Sequence, residues 1–168
     1  MSKSLIWSIV GIVVVAGAII AIVLLVPGKH KTTNNVHQPA VSTSLSAAQK
    51  TEATAQIKNN LQTFFAASTP MPTRVSLLQN GQQFNQVMNA EFSQLSNEKP
   101  SVTINSITFP NKTTADVNYT ILLNGQPALK NQTGEVVLVN NKWLIGDSTL
   151  CQLLSMSGTT PAICSKIH

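Results

Sequence analysis

The chain has 168 residues, 43% of them hydrophobic and only 10% charged, a length that holds one modest domain and excludes a multi-domain enzyme. Eleven lysines and arginines against six acids give a net charge of +5, but Lys3, Lys29 and Lys31 flank a single apolar run and residues 47–168 carry only +2. No basic face is visible, which excludes nucleic acid as a partner.

Leu5 to Val26 is a run of 22 residues without a charge. At about 1.5 Å per residue it reaches about 33 Å, enough to cross a hydrocarbon core of about 30 Å. A cleaved signal peptide, the competing reading, has a shorter apolar region of about 7 to 15 residues and a small-x-small cleavage site. This run ends Val26-Pro27-Gly28, so the expectation is an uncleaved signal-anchor: a cytoplasmic stub at 1–4 and a single transmembrane helix at 5–26. The first cysteine is Cys151, which excludes a lipid attached near the stem. Lys3 with the free amine balances Lys29 with Lys31, so flanking charge sets no orientation. Gly17 and Ala21 form a small-xxx-small pair through which two such helices could meet, although small residues also fall this way by chance in a helix rich in Val and Ile.

Residues 27–46 contain two prolines, no aromatic residue and few large apolar ones, too little to repay the entropy of ordering them. They read as a flexible polar linker with an r.m.s. span of about 25 Å. His30 and His37 lie in it and read as solvated spacer, since a metal site needs more ligands.

From Ala47 the pattern is helical, with Ile57, Leu61, Phe64 and Phe65 on one stripe and an end expected near Ser68. Thr69-Pro70-Met71-Pro72 predicts a stop, Val75, Leu77 and Leu78 a short apolar turn, and Asn80-Gly81 a break. Phe84, Val87, Met88, Phe92 and Leu95 predict a second helix that ends before Pro100. Beyond Pro100 the period is two. Val102 and Ile104 share one parity and Ile107 and Phe109 the other, which predicts a bulge at Asn105-Ser106. Ala115 to Leu123 alternates cleanly, Asn124-Gly125 is a hairpin signal, a third strand runs from about Leu129 to Val139, and Asn140-Asn141 turns into a fourth at Lys142–Gly146. Helices followed by an antiparallel meander predict an α+β fold with helices on one side of the sheet.

Cys151 and Cys164 are the only cysteines. A bridge between them closes a loop of about 14 residues, contributes about 3 kcal/mol and persists only in an oxidising compartment, which puts residues 47–168 outside the cytoplasm as an extracytoplasmic domain. Two unpaired thiols are the competing reading. Redox chemistry would want Cys-x-x-Cys, and zinc would want four ligands.

Between Ala47 and Ile167 there is no histidine, so a Ser-His-Asp triad, a Cys-His dyad and most zinc hydrolase sites cannot be assembled there. No nucleotide-binding or metalloprotease motif occurs, and no cofactor, metal or catalytic residue is expected. The sequons at Asn111, Asn118 and Asn131 occur as often as chance allows in a chain so rich in Asn, Ser and Thr.

The stretch Val102 to Ile145, with SITFPNKTTADVNYTILLNG and VVLVNNKWLIGDST, resembles the C-terminal domain of the mycobacterial low-molecular-weight secreted antigen family and related actinobacterial exported proteins. Several exported relatives also end in Cys-x-Leu-Leu with a second cysteine beyond, here Cys151-Gln152-Leu153-Leu154 and Cys164. The resemblance covers about residues 50–168. It implies an NTF2-like (cystatin-like) cone, two to three helices packed on a curved four-stranded antiparallel sheet, and an exported location. It carries over no activity and no catalytic residues. The stem, read as uncleaved, departs from a freely secreted antigen.

The functional expectation is a membrane-anchored binding or interaction module without catalysis, taking a protein partner or a small apolar ligand. Phe64, Phe65, Phe84, Tyr119 and Trp143 are the large residues that could line a pocket, though such residues more often fill a core. The alternative is a cavity enzyme of the isomerase or dehydratase kind using Tyr119 and Asp147, since strand parity puts Asp116 on the other face. A third reading, by likeness to membrane-tethered NTF2-like subunits of lipid-import and secretion machines, is an accessory scaffold.

Overall fold

The computed structural model describes residues 44–95 and 97–166. The stub, the apolar stem with Gly17 and Ala21, residues 27–43 of the linker and His168 lie outside the described residues. Among the described residues no helix is long and apolar enough to cross a membrane.

Helix α1 (Ala47–Phe65) opens on a capping box. The Ser46 hydroxyl accepts from the Gln49 amide at 3.3 Å, and Gln49 Oε1 accepts from the Ser46 amide at 3.0 Å, satisfying donors that a helix start leaves unpaired. Its stripe of Ala53, Ile57, Leu61, Phe64 and Phe65 is buried. The helix stops at Phe65, short of the expected Ser68, because Ala66 leaves the helical backbone at φ −59°, ψ 130°.

The proline-rich stop also starts a short helix where the apolar spacing predicts only a turn. Pro70 is the N-cap of a short helix α2 (Met71–Ser76) and Pro72 sits in its first turn, where a missing amide hydrogen costs nothing. Helix α3 (Gly81–Gln94) follows, burying Phe84 and Met88. Gly81 is required by a close approach, since a Cβ there would lie 1.9 Å from the Val75 carbonyl oxygen.

Strands β1 (Ser101–Thr108), β2 (Thr114–Leu123), β3 (Gln126–Val139) and β4 (Lys142–Ile145) form one antiparallel sheet in the order β1-β2-β3-β4. The register shifts between Ile104 and Ser106, at the expected bulge. Both hairpins are where the sequence puts them, with positive φ at Asn124 and Gly125 and at Asn140 and Asn141, as two-residue turns of this hand require. Leu77 to Gln79 add to the free edge of β4: the Ile145 amide donates to the Leu77 carbonyl at 2.9 Å and the Gln79 amide to the Ile145 carbonyl at 3.0 Å.

Helix α4 (Asp147–Met156) stands beyond the last predicted strand, where no element is expected, although Asp147-Ser148-Thr149 before Leu150, Leu153 and Leu154 is a legible helix start. One face of the sheet, with Val102, Ala115, Val117, Tyr119, Ile121, Val136 and Ile145, joins the buried faces of α1, α3 and α4 in a single core. The other face carries Thr103, Asp116, Asn118 and Thr120, exposed or half-buried.

Arg74 is the only arginine in the chain and is 3% exposed. Its guanidinium donates to carbonyl oxygens around the end of α1: Nε to Thr69 at 3.1 Å, Nη2 to Ala66 at 2.6 Å, and Nη1 to Phe64. Its Cζ lies 3.9 Å from the centroid of the Phe92 ring on α3. The last carbonyls of a helix lack intrahelical donors and form the negative end of its dipole, so a planar fork of cationic donors satisfies both. Burial pushes the guanidinium below its usual pKa, yet that value is so high that the group stays charged. Arg74→Leu leaves these carbonyls unpaired and is expected to cost about 3 kcal/mol in urea unfolding; Arg74→Lys, which keeps the charge but loses the fork, should cost about half of that.

Candidate functional site

The apolar ends of α1, α3 and α4 do not close fully over the β2–β3 hairpin, and a groove of about 210 Å³ remains between them. Phe64 and Phe65 form its floor from α1, Phe92 and Leu95 a wall from α3, Ile121 and Leu129 the sheet side, and Leu150, Leu153 and Leu154 the α4 side. Met156 stands at the lip, 44% exposed, the only exposed large hydrophobic residue among the described residues. Of the polar side chains in the wall, the Glu91 carboxylate accepts from the Thr159 hydroxyl at 2.5 Å, so it is engaged across the gap between α3 and the chain beyond α4.

Two of the five residues expected to line a pocket therefore do so, Phe64 and Phe65. Phe84 is wholly buried in the core. Tyr119 is 1% exposed and lies behind Phe65, ring centroids 6.2 Å apart. Trp143 packs edge-on to Phe109 and borders a separate, more polar depression beside the N-terminal half of α1, which Glu52, Gln56 and Leu138 share. Phe92 and Leu95 were legible as a helical stripe, whereas Leu150, Leu153 and Met156 depend on α4.

Tyr119 and Asp147 are not brought together. The Tyr119 ring fits over Gly134, where a Cβ would come within 3.1 Å of the ring and 2.6 Å of the Thr149 methyl. Asp147 instead accepts from the Asn80 amide at 3.1 Å and from Asn80 Nδ2 at 2.5 Å, pinning the start of α4 to the start of α3. Asp116 is exposed and pairs across the strands with Glu135. Among the described residues no three His, Cys, Asp or Glu side chains group as a metal site requires.

Cys151 and Cys164 are bridged, with Cα atoms 5.6 Å apart, as the sequence led one to expect. The bridge holds a short 3-10 turn, Cys164–Lys166, against α4.

The geometry defines a disulfide-bridged α+β domain, with helices on one face of a four-stranded antiparallel sheet and an apolar groove at one end. Residues 49–161 match the family described as low molecular weight antigen MTB12, C-terminal domain, and the chain belongs to that family. A crystal structure from Campylobacter jejuni, described as a candidate NTF2-like transpeptidase, is similar at 14% identity, with a TM-score of 0.36 over 60% of this chain and 98% of that one. No curated protein matches the chain.

Burial pushes the Tyr119 hydroxyl up to about 12, whereas an unfolded tyrosine ionises near about 10. Between those values the unfolded chain holds fewer protons than the native one. Stability should therefore fall as pH rises through that window, by up to about 3 kcal/mol, and Tyr119→Phe should abolish the slope. Because Tyr119 is the only tyrosine, tyrosinate absorbance reports it alone, and ionisation of the folded protein near about pH 10 would contradict its burial. Replacing both cysteines by serine should cost about 3 kcal/mol, and the unreduced native chain should weigh two hydrogens less than its reduced form.

Proposed function

We propose that this chain is a membrane-tethered extracytoplasmic binding module, anchored by residues 5–26, spaced by 27–46 and binding through the groove beneath α4, without catalysis. The observation that carries the reading is the groove itself: an open cleft whose wall is almost wholly apolar and whose lip is an exposed methionine. A body of this size that leaves such a surface unfilled pays for it in stability, which is expected of a site and not of a core. The Cys151–Cys164 bridge supports a body outside the cytoplasm, where disulfides persist, and the antigen family is in keeping with that location. Against catalysis stand the missing histidines and the separate surroundings of Tyr119 and Asp147.

The groove exceeds the cavity of about 150 Å³ known to take up benzene in another protein, so benzene is a fitting probe. The full chain would be held in a fluorinated surfactant, whose chains mix poorly with hydrocarbon, and followed by methyl NMR. Benzene should shift the methyls of Leu129, Leu153 and Met156 and leave those of Val102 and Leu138 in place. No shift at the groove methyls at saturating benzene would overturn the reading.

A further inference from the structure

The groove's size, its shortage of available polar groups and the distance from the stem all bear on what it holds. At about 210 Å³ it is smaller than the roughly 300–1,000 Å³ of pockets that enclose drug-sized ligands. It has room to enclose part of one flexible chain, with the remainder of the molecule outside. Glu91, bonded to Thr159, is the one carboxylate in its wall and disfavours a phosphate beside it, so a ligand's phosphate-bearing end has to remain at the mouth. Lys99, exposed, adjoins the lining residue Pro100 in sequence, and Glu98 beside it is bonded to Asn124 Nδ2 at 2.9 Å. Met156 at the lip has an unbranched side chain that adapts to a ligand of variable shape.

The chain outside the described residues names the source of such a ligand. The 19 residues of α1 separate the tether's end from the groove by about 28 Å, while the 20 residues of the linker extend to as much as about 66 Å. The groove can thus reach the surface of any bilayer that holds the stem. On the strength of the binding role argued above, we propose that the groove takes up a single acyl chain of a phospholipid from the membrane to which the chain is tethered, leaving the headgroup at the mouth.

The test is photocrosslinking of the full chain in vesicles of phosphatidylcholine and phosphatidylglycerol, a fraction carrying a diazirine in one acyl chain, with the modified peptides mapped by mass spectrometry. Crosslinks are expected at Phe92, Leu129 and Leu153 as well as in residues 5–26. Leu153→Trp, which fills the groove, should lower the groove crosslinks by about tenfold and spare those of the stem. Ala128→Trp at the exposed rim should do the same should the first variant fail to form its disulfide, and Thr103→Trp on the opposite face should change neither. Crosslinks confined to the stem would overturn the lipid assignment. So would groove labelling by a free diazirine fatty acid with none from the phospholipid. In both cases the benzene shifts decide separately whether the groove binds anything.

Discussion

A single buried guanidinium organises the helical half of this domain. Arg74 reaches from α2 under the end of α1, takes up the carbonyl oxygens of Phe64, Ala66 and Thr69, and lies over the ring of Phe92 on α3. Three helices are held by one side chain whose donors are fixed in a plane. Phe64, Phe65 and Phe92 also line the groove, which Arg74 itself does not, so the guanidinium holds two of its lining residues from behind through the Phe64 carbonyl and the Phe92 ring. Burying a charge without a carboxylate partner is expensive. Here the compensation is the dipole and the unpaired carbonyls of a helix end.

On the other side of the groove the wall is built by α4, and two restraints place it. Asp147 ties its first turn to Asn80 at the head of α3, and the Thr149 hydroxyl bonds the amide and carbonyl of Glu135 on β3 at 2.6 and 2.9 Å. The disulfide restrains the chain beyond its end, and the Glu91–Thr159 bond closes the remaining gap to α3. The cleft is therefore bounded by polar contacts at its margins and left apolar within. Such a division suits a ligand that is apolar over most of its length and polar at one end.

Much of the sheet was legible in the sequence, because strand alternation and turn chemistry are local. The Asn105-Ser106 bulge, the Asn124-Gly125 hairpin and the Asn140-Asn141 turn all follow from residue parity and from which residues tolerate positive φ. Short helices were less legible. Met71–Ser76 begins on two prolines that equally signal a stop, and α4 draws its apolar contacts from strands and helices distant in sequence. The site was half legible for the same reason: α1 contributes Phe64 and Phe65 from a clear stripe, but Tyr119 and Trp143 face other neighbours.

The sequence by itself determined the α+β order, the bulge in β1, the two hairpin turns, a bridge as the expected state of the only two cysteines and the lack of histidine chemistry in the body, since each depends on composition or on spacing along the chain. Only the tertiary structure decided that Arg74 is buried, that Asp147 serves a helix start instead of a tyrosine, and that an apolar gap remains between α1, α3 and α4. Those outcomes depend on how far apart packed elements come to rest, and residual volume between side chains from four segments is a property of their sum that no local pattern carries.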